Sequence, residues 1–334
     1  MRSLEDAVFA AAAARDMRAA TGATQRALRD GRTVDSVLDA LVAVQVRVGE
    51  RWYSDEWSVA DEHAATAIVD AALAVVDGFV EPPAPEDRPR SIVVACPEGE
   101  WHALPARMLA TELRSLGADV VFLGSSMPAD HLARYVDALR PEVVALSAST
   151  ALSLGAAAAC IDAVREVGVP VVVGGRALGR SDRRARALSA DGWGTDAIGV
   201  LDRARWAPET AAAEATRQER GLAFLRCELG RPAAVDAAMD VLGQRVHAMA
   251  QLDRHERSRT RQELEHVLRV AEAAILVDDP SLFADHVAWL GPLLAARRVP
   301  VGSVRTSLAV LHEVVDDDEL RSVLGAATES SVQS

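Results

Sequence analysis

Short apolar runs rich in β-branched residues alternate with helical stretches of about 10 to 20 residues in the middle of the chain. Parallel strands covered on both faces are apolar at every position, and helical crossovers of this length connect them. The alternation therefore predicts a Rossmann-like, flavodoxin-like α/β domain with a parallel sheet over residues 91–205, closed by a short unit at 191–197. The four runs are Ser91–Cys96, Ala118–Leu123, Val143–Ser147 and Val169–Gly174.

The segments on both sides of this domain have helical periodicity and no strand signal. Residues 1–80 predict a cap of three or four helices, most simply a four-helix bundle, with breaks expected at Gly22, Gly31 and Ser54. Residues 81–90 are rich in proline and charge, as linkers are. Residues 207–328 predict a third, all-helical domain of five or six helices, with breaks expected at 230–232, 278–280 and 299–300.

The charge of the chain restricts its partners. Its formal net charge is −13, and nucleic-acid affinity depends on basic residues that displace counterions from phosphates, so we expect no DNA or RNA partner. Apart from histidine the basic residues are all arginine, which excludes Schiff-base catalysis and lysine-containing nucleotide loops.

The apolar segments and the cysteines restrict the protein's environment. No apolar run reaches the roughly 18 residues that a membrane span needs, and acidic residues flank the apolar stretch at 8–14. We therefore expect a cytoplasmic protein without a membrane partner. Cys96, Cys160 and Cys227 are too scattered for a disulfide framework and are predicted to be buried core residues.

A histidine follows the first predicted strand, at the sheet edge where open α/β sheets bind ligands. The segment from Glu98 to Pro105 contains Glu100 and His102. Ser147 follows Pro105 after 41 intervening residues, at the end of the third predicted strand. Small residues at the ends of the third and fourth strands keep a deep slot open beside the sheet. They are Ser147, Ser149, Gly174 and Gly175.

This pattern resembles the cobalamin-binding domain family, which has Asp/Glu-x-His-x-x-Gly, then Ser-x-Leu about 41 residues later, then Gly-Gly. The resemblance implies that His102 is the lower axial ligand of cobalt and that Glu100 orients its imidazole. It also implies a pocket for the displaced nucleotide tail, lined by Ser147, Ser149, Gly174 and Gly175. Pro105 and Ser149 depart from the usual glycine and leucine. The alternative is a generic flavodoxin-like domain with an incidental histidine.

The predicted cap contains Trp52, followed ten positions later by Glu62 and His63. A tryptophan in a bundle is usually core and a Glu-His pair usually surface, but this signature resembles that of the adenosylcobalamin photoreceptors. The resemblance implies that Trp52 packs on the adenosyl group and that Glu62 and His63 contact it. Tyr53 stands where DNA-binding members have a second cobalt ligand, and no helix-turn-helix precedes the cap. We therefore expect an output other than operator binding.

Residues 207–328 resemble globin-like sensor domains of stress regulators and bilin-binding photoreceptors. Joined to a cobalamin unit, this domain resembles the photocobilins, which hold adenosylcobalamin close to a bilin. The resemblance implies biliverdin as a second cofactor, with contacts expected from His266, His286 and Trp289, although ordinary core packing remains an alternative reading of the aromatics. The other histidines considered as ligands, including haem ligands, are His247, His255 and His312. Cys227 offers covalent attachment, but we favour non-covalent binding.

These observations predict a photoreceptor rather than an enzyme: light cleaves the cobalt–carbon bond of adenosylcobalamin, and the change passes to the C-terminal domain or to oligomer contacts. Homo-oligomerisation and an unidentified downstream signalling protein remain open. One alternative is a corrinoid methyl carrier of a methyltransferase system, which would share the cap and the sheet. Another is a cobalamin sensor whose C-terminal domain is an interaction module without a chromophore.

Overall fold

The computed structural model describes residues 3–81, 89–202, 211–299 and 301–330. An N-terminal helical bundle, a five-stranded parallel sheet and a C-terminal helical region follow one another along the chain. This architecture confirms the predicted fold class of α/β plus all-α. Most of the predicted linker, residues 82–88, lies outside the described residues. No helix in the described part of the chain is long and apolar enough to cross a bilayer.

Four helices form the N-terminal bundle, and each begins at a polar residue whose side-chain oxygen accepts a backbone N–H of the first turn. The helices are α1 (Leu4–Ala13), α2 (Met17–Arg29), α3 (Val34–Tyr53) and α4 (Val59–Asp77). The expected breaks at Gly31 and Ser54 are confirmed, but the one at Gly22 is wrong. Gly22 lies within α2, and the chain turns instead at Arg15, with φ 57°, before Asp16 caps α2.

The sheet has the strand order β2-β1-β3-β4-β5, and its strands pair in parallel. Its strands are β1 (Ser91–Ala95), β2 (Asp119–Phe122), β3 (Val143–Ser147), β4 (Val171–Gly174) and β5 (Gly192–Trp193). Its helices are α5 (Ala103–Ser115), α6 (Ala129–Leu139), α7 (Leu154–Glu166), α8 (Arg183–Ala187) and α9 (Ala197–Asp202). The chain leaves β1 for β2 on one side and β3 for β4 on the other, so a crevice opens beyond β1 and β3.

The C-terminal region is helical wherever it is described between residues 211 and 330. Its helices are α10 (Ala211–Arg245), α11 (His247–Gln251), α12 (Arg254–Leu276), α13 (Ser281–Ala296), α14 (Val301–Val314) and α15 (Asp318–Ser330). The break expected near 278–280 is confirmed, and α13 ends at Ala296 before the one expected at 299–300, where residue 300 lies outside the described residues. The break expected at 230–232 is wrong because α10 continues through Pro232. A line of buried residues on both sides of the proline, Cys227, Val235 and Ala238, keeps the helix packed.

The buried side chains form three clusters, and they show how the parts of the chain are joined. One cluster continues from one face of the sheet, through Leu146 and Ile161, to Leu268 and Phe283 of the C-terminal helices. A second cluster fills the bundle and includes Leu104 of α5. The third lies on the other face of the sheet. The bundle therefore sits on α5, the helix that follows His102. The predicted burial of Cys96, Cys160 and Cys227 is confirmed.

Candidate functional site

His102 lies in the loop between β1 and α5, at the crevice of the sheet. Its Nδ1 lies 2.7 Å from Oε1 of Glu100, and its backbone N–H donates to the same oxygen over 2.9 Å. The His102 side chain is 63% exposed, whereas Glu100 is completely buried. The carboxylate therefore holds one ring nitrogen and leaves Nε2 available for a ligand in the crevice.

Glu100 also binds the loop after β3 through its second oxygen. Oε2 accepts the backbone N–H groups of Ser149 (2.7 Å) and Thr150 (3.0 Å) and the hydroxyl of Ser153 (3.0 Å). Burial alone would raise the pKa of Glu100, but the hydrogen bonds from His102, Thr150 and Ser149 outweigh it and lower that pKa to about 2. The hydrogen bond to Glu100 in turn raises the pKa of His102, against the effect of burial.

The donor set fits a metal that brings its own equatorial ligands. Among the residues that the structure describes, no group of three or more His, Cys, Asp and Glu side chains could hold a bare metal ion. A single exposed imidazole, oriented by a buried carboxylate, is suited to one axial position of a metal already held in a macrocycle. His102 and Glu100 therefore meet the chemical requirement that cobalamin places on its lower axial ligand.

The predicted tail-pocket residues lie together beyond β3 and β4. Ser147 is buried at the end of β3, and Ser149 follows it in the loop that Glu100 holds. A Cβ atom at Gly174 would stand 2.4 Å from the carbonyl oxygen of Gly194, and one at Gly175 2.4 Å from that of Ala148. Gly175 also has φ +96°. Glycine is thus required at both positions by the close approach of neighbouring backbone.

The two polar cap residues lie in the first turns of α4. The Glu62 carboxylate accepts a hydrogen bond from Thr66 over 2.8 Å and contacts Nδ1 of His63, which is exposed. Thr66 in turn accepts a hydrogen bond from Gln45 of α3. Glu62 is also close enough to His102 for its charge to raise the pKa of that imidazole. The cap therefore presents a carboxylate toward the crevice that contains His102.

Trp52 lies at the end of α3 and contacts the C-terminal domain. Its ring is stacked against Trp289 of α13 at a centroid distance of 6.1 Å, and the Arg297 guanidinium lies 4.9 Å from the Trp52 ring centroid. Arg297 also donates to the carbonyl oxygens of Trp52 (2.9 Å) and Tyr53 (3.4 Å). The Tyr53 hydroxyl donates to the backbone oxygen of Trp289 over 3.0 Å. Trp52, which is predicted to pack on the adenosyl group, thus contacts the C-terminal domain, which is predicted to receive the signal.

His266, His286 and Trp289 form one continuous stack. The ring centroids are 5.4 Å apart between the two histidines and 5.9 Å apart between His286 and Trp289. Burial lowers the pKa of His286 to about 4, so this imidazole is neutral at pH 7. Its Nε2 is buried and has no hydrogen-bond partner within the described ranges. A buried polar atom without a partner marks a place where a ligand can bind.

The other histidines considered as ligands do not join this stack. His247 pairs with Gln251, His255 is exposed on α12, and His312 packs beside Gly325. Sequence reasoning also missed two residues of the site, Ser153 and Arg297. A hydroxyl residue soon after the Ser147–Ser149 motif was a weak signal for Ser153. Nothing local marked Arg297, because its partners in α3 are remote in sequence.

Comparison with known proteins agrees with the geometry of both halves of the site. Residues 90–202 match a family model described as a B12 binding domain, and residues 4–77 match a second model of the same description. The solved monomethylamine corrinoid protein of Methanosarcina barkeri shares the fold, with a TM-score of 0.50 at 17% identity. That alignment covers 58% of this chain and 93% of the other.

Two curated proteins of Myxococcus xanthus are similar to part of the chain. The HTH-type transcriptional repressor CarH is 37% identical over 149 residues, 44% of this chain and 48% of the repressor. The HTH-type transcriptional repressor CarA is 38% identical over 119 residues, 35% of this chain and 40% of the repressor. The chain thus spans about half the length of these relatives or less. Both relatives are named as transcriptional repressors.

The two matched segments coincide with the two structural units that meet at His102. Residues 4–77 are the bundle that carries Trp52, Glu62 and His63, and residues 90–202 are the sheet domain that carries Glu100 and His102. These matches point to cobalamin as the ligand. The close backbone approach at Gly174 and Gly175 and the oriented imidazole of His102 are consistent with it. The chain therefore contains a B12-binding module that consists of two matched segments, the helical cap and the Rossmann-like sheet domain.

Proposed function

We propose that the chain is an adenosylcobalamin-dependent light sensor whose C-terminal helical domain receives the signal and binds a bilin such as biliverdin. The observation that carries this proposal is the position of Trp52, which lies in the B12-binding cap and stacks on Trp289 of the C-terminal domain. The Trp52, Glu62 and His63 signature of the adenosylcobalamin photoreceptors supports adenosyl as the upper group. When bound, adenosylcobalamin supplies a cobalt–carbon bond that light breaks.

The residues below and above the crevice have distinct roles in this proposal. His102 binds cobalt through Nε2, and Glu100 holds its ring in that orientation. Ser147, Ser149, Gly174 and Gly175 accommodate the nucleotide tail. On the other side, Trp52 excludes water from the adenosyl group, and Glu62 and His63 contact it. Because Trp52 is held by Trp289 and Arg297, any movement of its ring changes contacts of α13.

Absorption spectroscopy of the chain loaded with adenosylcobalamin in the dark tests the light response. We expect green light to change the cobalamin spectrum. We expect His102→Ala to weaken binding at least about tenfold or to leave the lower face without histidine ligation. His131→Ala, at an exposed histidine of α6, is the matched control. An unchanged wild-type spectrum after illumination rules out the light sensor, and wild-type behaviour of His102→Ala rules out the ligand assignment.

The stack of His266, His286 and Trp289 supports bilin binding. A linear tetrapyrrole needs an apolar slot, polar atoms at its pyrrole nitrogens and cations for its propionates. The unpartnered Nε2 of His286 supplies a polar atom, and Arg297 beside Trp52 supplies a cation. Arg269 also lies near enough to His266 to lower the pKa of that imidazole, although burial contributes more.

Titration with biliverdin tests this second site. We expect red absorption from the bound bilin. We also expect the affinity for biliverdin to be about tenfold lower in His286→Leu, because the pyrrole nitrogens of the bilin lose a polar partner. His255→Leu, at an exposed position of α12, is the control. A chain that binds cobalamin but gains no red absorption would instead have an interaction domain without a chromophore.

One alternative function is that of a corrinoid methyl carrier, because the fold is shared with the monomethylamine corrinoid protein. A methyl carrier must open its upper face to partner enzymes, whereas Trp52 and Tyr53 of the cap are held here by α13. Methyl transfer to or from the cobalamin-loaded chain, on addition of a corrinoid methyltransferase, would favour the carrier. Retention of an intact adenosyl group in the dark would count against it.

A further inference from the structure

The loop after β4 borders the tail pocket and is held at two places. This loop runs from Gly175 to Gly179, and both glycines have positive φ, +96° and +77°. The backbone N–H of Ala177 donates to the carbonyl oxygen of Ala148 over 3.0 Å. Ala148 lies between the two serines of the pocket. The loop is thereby fixed to the end of β3, beside the predicted tail-pocket residues Ser147 and Ser149.

A buried arginine holds the other side of this loop. Arg184 of α8 is 8% exposed, and its Nη1 donates to the carbonyl oxygen of Ala177 over 3.0 Å. Its guanidinium carbon lies 3.5 Å from the place where a Cβ of Gly179 would stand. Ala177 is therefore joined through its N–H to Ala148 at the end of β3 and through its carbonyl oxygen to Arg184.

The partner of Arg184 belongs to the C-terminal domain. Nε of Arg184 donates to Oδ2 of Asp279 over 2.8 Å, and Asp279, in the turn between α12 and α13, is 7% exposed. The other carboxylate oxygen accepts the N–H (3.2 Å) and the hydroxyl (2.6 Å) of Ser281. Both charges are removed from water, which is costly for an ion pair unless its geometry is good and its remaining polar atoms are satisfied.

We propose that Arg184 and Asp279 are positioning residues for the nucleotide tail of cobalamin, so that the C-terminal domain shapes the tail pocket without touching the ligand. A continuous chain of hydrogen bonds connects the two: Ala148 to Ala177, Ala177 to Arg184, and Arg184 to Asp279. This proposal rests on the cobalamin site of the proposed function and is independent of its light response.

Binding of adenosylcobalamin and of adenosylcobinamide, which lacks the nucleotide tail, separates this role from a purely structural one. Asp279→Asn keeps the shape of the side chain but removes its charge. We expect its affinity for adenosylcobalamin to fall about tenfold, because charge-assisted hydrogen bonds hold the loop. Its affinity for adenosylcobinamide stays at the wild-type value. The double variant Arg184→Met/Asp279→Leu removes both buried charges, leaves only the charge of the exposed Arg183 without its contact to Asp279, and gives the same pattern.

A second buried ion pair of the C-terminal domain supplies the control. Glu272 of α12 is bound by Arg231 of α10 over 2.6 Å, and neither residue contacts the loop. Glu272→Gln therefore leaves the ratio of the two affinities unchanged. The proposal would be overturned if Asp279→Asn lost the same affinity for both ligands, or lost none for either. It would also be overturned if the wild-type chain bound the two ligands equally. If the affinities change as expected but the cobalamin spectrum does not respond to light, only the proposed light response is contradicted.

Discussion

A single buried carboxylate, Glu100, organises the lower half of the site. One of its oxygens holds the ring and the backbone of His102, and the other accepts four hydrogen bonds from Ser149, Thr150 and Ser153 after β3. Because each hydrogen bond favours the ionised form, they keep a fully buried carboxylate charged. The same group therefore orients the imidazole of His102 and fixes the loop that contains Ser149.

This carboxylate makes the stability of the ligand-free protein dependent on pH. Its pKa in the folded protein, about 2, is below the ordinary value of 4.5, so its contribution is present above pH 4.5 and is lost as the pH falls through 2. The shift corresponds to about 3 kcal/mol of unfolding free energy. Urea unfolding measures the free energy of unfolding that is lost between pH 5 and pH 3. This loss should be smaller in Glu100→Gln than in wild type, and equal losses would contradict this role.

Glu112 of α5 provides a test of the opposite sign. Burial and, to a smaller extent, nearby acids raise the pKa of this carboxyl, and a backbone hydrogen bond from Ala197 opposes them only in part, so its ionised form costs stability at neutral pH. Glu112→Gln should therefore raise the urea midpoint at pH 7, whereas Glu100→Gln should lower it. If both substitutions lower the urea midpoint equally, the ionised forms of Glu100 and Glu112 do not have opposite effects on stability, and the prediction is wrong.

At the scale of elements, the packing of α7 on α10 depends on one missing side chain. A Cβ at Gly155, in the first turn of α7, would stand 2.7 Å from Cζ of Phe224 in α10. The absence of that carbon lets the phenyl ring enter. Arg269 of α12 also donates to Leu152 in the turn before α7, over 3.4 Å. The loop held by Glu100 is thus packed against two C-terminal helices.

Two glycine-to-alanine substitutions should therefore have opposite effects on stability. Alanine is a better helix former than glycine by about 1 kcal/mol, so Gly221→Ala, where nothing lies within 4 Å, should stabilise the protein. Gly155→Ala should destabilise it by about 1 to 3 kcal/mol, because the phenyl ring must move. Thermal unfolding measures both, and stabilisation by Gly155→Ala would show that Phe224 yields without cost.

Elements with strong local patterns could be predicted from the sequence, and contacts between remote elements could not. The β-branched runs of the sheet are unambiguous because buried parallel strands are apolar throughout. His102 could be predicted because the end of a strand determines where a loop residue lies. Pro232 was misleading because tertiary packing keeps α10 intact around it. The contact of Trp52 with Trp289 has no local signature, since its two halves belong to different domains.

At the scale of the whole molecule, the sheet and the C-terminal helices share one buried cluster, whereas the cap has its own. Cooperative unfolding follows continuous buried surface, so a defect within a cluster spreads through it. We therefore expect the sheet and the C-terminal helices to open together and the cap to open separately.

Hydrogen exchange of two truncation variants tests this division. Leu268 and Leu41 are both fully buried, the first in α12 and the second in the cap. Leu268→Ala should cost about 2 to 5 kcal/mol and lower the protection of amides in β3 and β4 as well as in α12. Leu41→Ala should lower protection in α1 to α4 and spare the sheet. Unchanged protection of the sheet in Leu268→Ala would mean that the C-terminal helices unfold independently.

The contact of Arg297 with the end of α3 has a consequence for signalling. The last carbonyl groups of a helix lack partners within the helix and carry the negative end of its dipole. The guanidinium of another domain donates to two carbonyl oxygens at the end of α3, that of Trp52, which also accepts the N–H of Asp55, and that of Tyr53. The C-terminal domain thus adds hydrogen bonds to the C-terminal end of a helix that belongs to the cap domain. Separating the two would remove these hydrogen bonds, so in the proposed light sensor a change above cobalt would be passed on as the fraying or tightening of a helix terminus.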